Sequence, residues 1–420
     1  MADWQKKGKA VAITHDDGED RISALPDALL QHALSFLPSL DAVRTCVLAR
    51  RWRHQWKSVP ALRISVFPGC RGSQHLNDFI TNLLIFRNRS HLDECEIECD
   101  DDGDSFEAFR NIKQWIRYAV LCQVRALSVH ISGKYEFIRL PDAPLVAQRL
   151  KRIQLSYVEL WGSFLDFSSC RELELKMAGC SIQVKHILSE SLKYLEIYGC
   201  DFWQNHTRIS CPNLISLEIA DFHLNTPVLM SMPSLVSAFI RLGEHCDDEC
   251  YRDYYGECDS GGCNHDTITD NDSVLLNGLS DANHLELISV ARVFIFRRDF
   301  KYYPTFNKLK TLLLNEWCMS ADSSALVYFL QHSPVLEKLT LQLWKNPDTM
   351  FDSGIMYTNP KEKLLASKHL KLVEIKYCFD EMLEKVLLIL STCGITSEKI
   401  SIQRISLWAS EGFSFEQRAR

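Results

Sequence analysis

The sequence predicts an α/β protein: a short helical module, then a long solenoid stacked through one curved parallel β-sheet, then a segment that closes its end. Three observations carry this. A pattern apolar-x-x-apolar-x-apolar recurs along most of the chain, with central positions about 20 to 27 residues apart. Ahead of it, residues 20–62 space their apolar side chains as helices do. Behind it stand one amphipathic stretch and one alternating stretch.

The chain has 420 residues and a formal charge of −7. That length holds a small module and one long domain. The negative charge argues against a dominant phosphate-binding surface, so no nucleic-acid partner is expected. Residues 1–19 are charged and poor in apolar side chains, and read as a flexible tail. They hold no apolar core of signal-peptide length, and no run of about 18 apolar residues follows, so no membrane partner is expected. The sixteen cysteines mostly sit singly in apolar stretches, as Cys180, Cys200 and Cys378 do. They read as thiols in a reducing compartment. There the sequons at Asn88, Asn205 and Asn271 carry no meaning.

From Asp20 to Leu62 the sequence reads as three short helices. Leu25-Pro26 leads into the first, where Leu29, Leu30, Ala33, Leu34 and Leu37 recur at helical spacing. Pro38 ends it, and Ser39 or Asp41 is expected to cap the second, with Val43, Cys46 and Val47 on its apolar side. A third helix would carry Trp52 and Trp56 on one face within a basic stretch. A segment this short needs support from the rest of the chain, from another protein, or from both.

Leu62, Ile64 and Val66 alternate as a strand does. Helices are expected over 76–87, with Phe79, Ile80, Leu83 and Leu84 inward, and after Asp104, with Phe106, Phe109, Ile112, Ile116 and Val120 inward. The repeats follow. Clear copies are Leu150-Ile153-Leu155, Leu192-Leu195-Ile197, Leu214-Leu217-Ile219, Leu309-Leu312-Leu314, Leu336-Leu339-Leu341 and Leu370-Val373-Ile375; weaker ones centre on Cys95, Leu127, Leu173, Ala238 and Leu285. This is the period of a leucine-rich repeat. Each unit is a strand that cannot close its core alone, and stacking completes the core. Two gaps interrupt the period. Between Ala238 and Leu285 a unit is missing or masked by an acidic insertion at 244–272; between Leu339 and Val373 the residues read as a longer loop. Residues 380–393 are amphipathic and 399–407 alternate, as a closing strand would.

Residues 20–62 resemble the F-box, in the plant form that opens D-R-[IL]-S-x-L-P-D-x-[IL]-L and closes V-L-[AS]-[RK]-R-W-R-x-x-W. Here these are Asp20, Arg21, Ile22, Ser23, Leu25, Pro26, Asp27, Leu29 and Leu30, then Phe36, Leu37, Val43, Arg44, Thr45, Val47, Leu48, Arg51, Trp52, Arg53 and Trp56. Ala33 departs from the family's larger aliphatic residue. Residues 379–420 resemble the FBD segment of plant F-box proteins with leucine-rich repeats, through the helix, the Gly394 break and the Ile400–Ile402 strand. The implied domains are a tail (1–19), an F-box (20–62), a solenoid (63–378) and a cap (379–420). The resemblance implies a substrate-recognition subunit of a Skp–cullin–F-box ubiquitin ligase in the cytoplasm or nucleus. Leu25, Pro26, Leu29, Leu37, Val43, Val47, Leu48 and Trp52 would pack on the Skp-type adaptor, and through it reach cullin and RING subunits. An unknown protein substrate would lie on the repeats. The competing reading is a repeat scaffold with no ligase association.

No catalytic residue, cofactor or resident metal is expected. The repeats place Glu174, Glu196 and Glu218 at one position of successive strands, an acidic ladder suited to a basic ligand, with Tyr194 and Tyr198 flanking Glu196 on the same face. The competing view is a solvated strand face neutralised by Lys176, Lys193 and Lys376. His245, Cys246, Cys250, Cys258, Cys263 and His265 supply zinc-ligand types at spacings that match no zinc module, and read more simply as an acidic insertion. Asp100–Asp104 fails the EF-hand spacing.

Overall fold

The computed structural model describes residues 22, 24–66, 73–101, 106–133, 138–140, 148–167, 170, 172–204, 207–247, 273–290, 293–319, 324–344 and 368–406. Helix α1 (Asp27–Leu34) follows Pro26, and α2 (Ser39–Arg44) follows Pro38. Neither helix has a side-chain cap. Proline lacks the N–H that a first turn leaves unpaired, so it suits a helix entrance. The expected caps have other work: Ser39 Oγ accepts the Arg63 N–H at 3.0 Å, and Asp41 pairs with Arg44 at 2.9 Å. In place of a third α-helix come 3-10 stretches at Thr45–Val47 and Arg50–Ser58. With three residues per turn, positions four apart do not share a face. Trp52 accordingly packs on Leu34, Ala42 and Val59, while Trp56 packs on the solenoid core.

The solenoid begins at β1 (Ala61–Val66), followed by α3 (Ser73–Phe86), β2 (Glu94–Asp101), α4 (Phe106–Leu121) and β3 (Ala126–Gly133). Among the described residues strands alone come next: β4 (Ile138–Arg139), β5 (Arg152–Ser156), β6 (Val158–Asp166), β7 (Leu173–Ala178), β8 (Ser181–Leu188), β9 (Leu192–Tyr198), β10 (Asp201–Phe202), β11 (Arg208–Ser210), β12 (Ser216–Ala220), β13 (His223–Leu224), β14 (Val228–Leu229) and β15 (Ser237–Leu242). Helices then return: α5 (Leu276–Leu279), β16 (His284–Ser289), α6 (Ile295–Asp299), β17 (Thr311–Asn315), α7 (Ser324–His332), β18 (Lys338–Leu343), β19 (Leu372–Tyr377), α8 (Asp380–Thr392) and β20 (Ile400–Arg404).

Among the described residues, thirteen strands form one sheet in the order β1-β2-β3-β5-β7-β9-β12-β15-β16-β17-β18-β19-β20, and every pairing is parallel. Its inward rows stack Leu62, Cys95, Leu127, Ile153, Leu175, Leu195, Leu217 and Ala238, continuing to Ile400. Leu175, not Leu173, is the central residue of its repeat. Leu173 pairs with Leu192, and an irregularity between Leu173 and Glu174 shifts the register there.

The repeats close their core in two ways. α3 and α4 pack Ile80, Leu83, Ile112, Trp115, Ile116 and Ala119 against the first strands. In the middle repeats a second sheet, seven-stranded among the described residues, does this, with β13-β10-β8-β11-β14 in order and β6 joining β4 to β8. The chain turns from one sheet to the other through left-handed residues at Tyr157, Gly179, Gly199 and Asp221. A Cβ on Gly179 would stand 2.5 Å from Tyr157 Cε1, whereas one on Gly199 would meet nothing within 4 Å. Alanine is expected to cost about 1 kcal/mol at Gly199, from backbone strain, and about 2 kcal/mol at Gly179, where the Tyr157 ring must also move. Urea unfolding of the two variants checks the difference.

Both gaps in the period are insertions, since β15 pairs directly with β16 and β18 with β19. Asn346-Pro347 and Asn359-Pro360 lie outside the described residues, as does the tail at 1–19. β20 joins β19 as the thirteenth strand, the closing strand anticipated for the solenoid. One continuous core runs from Leu62 to Ile395, and Val43 and Trp56 of the helical module lean on it. Among the described residues no helix is long and apolar enough to cross a membrane.

The twelve described cysteines are free thiols, and all but Cys46 are buried. Burial pushes Cys95 and Cys211 up to about 12, so neither forms thiolate near neutral pH. Maleimide at pH 8, read by mass spectrometry, is expected to label Cys46 in the native protein and Cys95 and Cys211 only after unfolding. Labelling of Cys95 at the rate of Cys46 would contradict the burial.

Candidate functional site

Two surfaces stand out. The first is on the helical module. α1 turns Leu30 and Leu34 inward, which leaves Leu29 outside, 52% exposed. Leu25, Pro26 and Leu37 are also exposed, and the 3-10 turn after α2 presents Val47 at 83% and Leu48 at 69%. Ile22, Phe36 and Leu40 add to this apolar surface; the expected adaptor-contact set left them out, although Ile22 and Phe36 stand in the motif. Val43 and Trp52 do not face solvent with the others. Val43 packs on the solenoid core and Trp52 on Leu34, Ala42 and Val59. Arg51 ties the ends of the module together, pairing with Asp27 at 2.9 Å and donating to the Leu25 carbonyl. Arg63 donates to the Ser35 carbonyl at 2.9 Å and pairs with Glu94 and Glu96, joining module to sheet. Asp20, Arg21 and Ser23 lie outside the described residues.

The second surface is the solvent side of the thirteen-stranded sheet. Tyr194, Glu196 and Tyr198 share it, with both tyrosines exposed. The three-acid ladder does not form. In register, Glu218 lies beside Glu196, but the position beyond Glu196 belongs to Lys176, and Glu174 lies beside Tyr194. The shift at Leu173 moves Glu174 out of the row. Lys176 Nζ stands 2.8 Å from Glu196 and 3.4 Å from Glu174, and its hydrogen bond to Glu196 raises its pKa. Further along, Phe239 separates Glu218 from Glu286, and Glu374 pairs with Lys338 at 2.9 Å. Ala220, Phe239 and Ile288, with Leu313, form an apolar cluster on this side, apart from the main core. A cavity of about 300 Å³ opens here between Glu218, Phe239, Glu286 and Lys338. Alternation marked these positions as outward, but only the register brought them together.

Of the zinc-type residues, His245 and Cys246 are described; Cys250, Cys258, Cys263 and His265 lie outside the described residues. Cys246 is buried with Sγ 3.4 Å from Thr226 Oγ1, and the His245 ring stands 4.9 Å from that of His223. Among the described residues no group of three His, Cys, Asp or Glu is placed to hold a metal ion. Asp100 and Asp101 end β2, and Asp102 and Asp104 are not described.

The fold and these surfaces define a class: a short helical module fused to a leucine-rich-repeat solenoid. Residues 22–63 match the F-box domain, and that segment is an F-box. The chain is similar to the MEIOTIC F-BOX protein MOF of Oryza sativa subsp. japonica, 27% identical over 77% of this chain and 71% of that protein. It is 24% identical to a putative F-box/LRR-repeat protein of Arabidopsis thaliana, over 96% of this chain and 94% of that one. An F-box/FBD/LRR-repeat protein of the same plant is 28% identical over 46% of this chain and 44% of its own length. The relatives of this chain are thus plant F-box/LRR-repeat proteins, some with an FBD segment.

Proposed function

We propose that this chain is the substrate-recognition subunit of a Skp–cullin–F-box ubiquitin ligase, acting in the cytoplasm or nucleus. The observation that carries the reading is the run of solvent-facing apolar side chains on an F-box. Leu25, Pro26, Leu29, Leu37, Val47 and Leu48 pack against the Skp-type adaptor, which links the chain to cullin and RING subunits. Val43 and Trp52 act from inside, holding the segments in place. A monomer rarely leaves so many apolar side chains in water without a partner for them.

The open face of β7, β9 and β12 receives the substrate protein. Tyr194 and Tyr198 offer rigid contact area, and Glu174, Glu196 and Glu218 supply charge around Lys176. Bond-making belongs to the other subunits; this chain is not itself an enzyme. It raises the effective concentration of a substrate lysine beside the ubiquitin carrier. The test is capture of a Skp-type adaptor and cullin by the full chain, beside a Leu25→Ala/Pro26→Ala variant. Capture that the variant loses supports the reading. No capture by the intact, folded chain overturns it and leaves a repeat scaffold.

A further inference from the structure

The outward face of the second sheet carries a row that neither the F-box nor the open face uses. Trp161 pairs in register with Gln183. The N–H groups of Trp203, Asn225 and Asp247 donate to the carbonyls of Ile182, Phe202 and Leu224, each one step further along the same parallel ladder. Trp161, Gln183, Trp203, Asn225 and Asp247 therefore stand side by side. Their neighbours Leu160, Ile182 and Phe202 point into the core and are buried, while Trp161 is 47% and Trp203 55% exposed. One face of the Trp161 ring is covered, which leaves the other for a ligand. The Arg139 guanidinium lies 4.0 Å from its centroid and pairs with Glu159 at 3.2 Å.

We propose that this row docks a polyproline II segment of a partner protein, of pattern Pro-x-x-Pro-x-x-Arg or Pro-x-x-Pro-x-x-Lys. Neighbouring strands lie about 4.8 Å apart, so Trp161 and Trp203, two strands apart, are separated by about 9.6 Å. The same step leads from Trp203 to Asp247. A polyproline II helix rises about 3.1 Å per residue with three residues per turn, so every third residue recurs at about 9.3 Å. Two prolines three apart fall on the two indoles, and the residue three further falls on the Asp247 carboxylate.

The charge agrees with that polarity. Arg139 is matched by Glu159, and His223 Nδ1 stands 2.7 Å from Asp201 Oδ1, which leaves Asp247, exposed, as the anionic end of the row. The polar groups agree as well. Proline offers carbonyls and no N–H, and the row meets it with donors: two indole N–H groups and the Gln183 amide between them. One Gln183 N–H faces Ser181 Oγ at 3.5 Å, and the second would serve a proline carbonyl of the docked segment. A preformed polyproline II helix loses little entropy on docking to an aromatic row.

The test is fluorescence anisotropy of the full chain with labelled Pro-Pro-Ala-Pro-Pro-Ala-Arg, beside the same peptide with glycine for each proline and one ending in glutamate. Saturable binding of the first peptide alone is expected. Trp161→Ala and Trp203→Ala each weaken it by about tenfold or more. Asp247→Lys reverses the preference between the arginine and glutamate peptides, and as an exposed change it leaves the thermal unfolding curve in place. Equal binding of the glycine peptide, binding that survives Trp161→Ala/Trp203→Ala, or no saturation overturns the proposal. So does an oligosaccharide panel that binds the two tryptophans where the peptide does not. Adaptor capture by these variants is expected to stay as in the parent, so the result is independent of the ligase reading.

Discussion

Replacing Asp299 with alanine is expected to destabilise the protein by roughly 3 to 5 kcal/mol, read as a lowered urea midpoint at neutral pH. Asp299 ends α6 and is fully buried. Its carboxylate accepts the backbone N–H groups of Val274, Leu275 and Leu276 at 2.8, 2.7 and 2.7 Å. These three residues open α5, where the chain returns from the acidic insertion, and Leu229 of the second sheet donates to the Val274 carbonyl at 2.8 Å. One side chain thus anchors the return to the solenoid. Removing it strands three buried donors, each worth about 1 to 3 kcal/mol in lost solvation before the site relaxes. Burial raises the Asp299 pKa, with the three N–H groups working against that rise. A raised pKa means the native state holds the proton more tightly than the unfolded chain does. The Asp299 contribution is therefore largest at low pH and falls as pH rises from the ordinary carboxylate value through the raised one. A variant as stable as the parent would show that other groups carry the return.

Leu29→Asp/Leu48→Asp is expected to abolish capture of the Skp-type adaptor, by at least about a hundredfold in affinity, with the fold intact. Both side chains stand mostly in solvent, so charging them costs the folded monomer little. In the complex the same charges would be buried without partners, which costs several kcal/mol each. Trp52→Ala provides the contrast. Its indole belongs to the small core with Leu34, Ala42 and Val59, so it is expected to lose adaptor binding together with module stability. Calorimetry of the adaptor complex, with circular dichroism of each variant, separates the two. Retained affinity in the double-aspartate variant would remove the apolar surface from the argument.

Much of this was readable in residue order. A strand turns alternate residues to opposite faces, so Leu195 and Ile197 announce burial while Tyr194, Glu196 and Tyr198 announce exposure, whatever the neighbouring repeats do. What failed was register. A central Leu173 fitted the period as well as Leu175, and two residues of slip preserve the alternation, so the face was right and the neighbour wrong. Lys176 therefore stands where a third acid was expected, and the ladder becomes an ion-paired row. The third helix of the F-box failed for a related reason. Spacing of four matches an α-helix, but the chain winds with three residues per turn, which sends Trp52 and Trp56 to different cores.

Residue order alone carries the repeat, the inward residues of each strand, the F-box and its three-segment course, and the strand that closes the stack. These rest on local periodicity and on motifs carried in consecutive residues. It took the folded ladder to show that β15 meets β16 and β18 meets β19 across their insertions. The same holds for the middle repeats closing on a second sheet, for Asp299 holding the chain that returns at Val274, and for Trp161, Gln183, Trp203 and Asp247 sharing one row. Each of these joins residues about twenty or more positions apart, through a ladder whose register is set by neighbouring strands, and no local pattern records that distance.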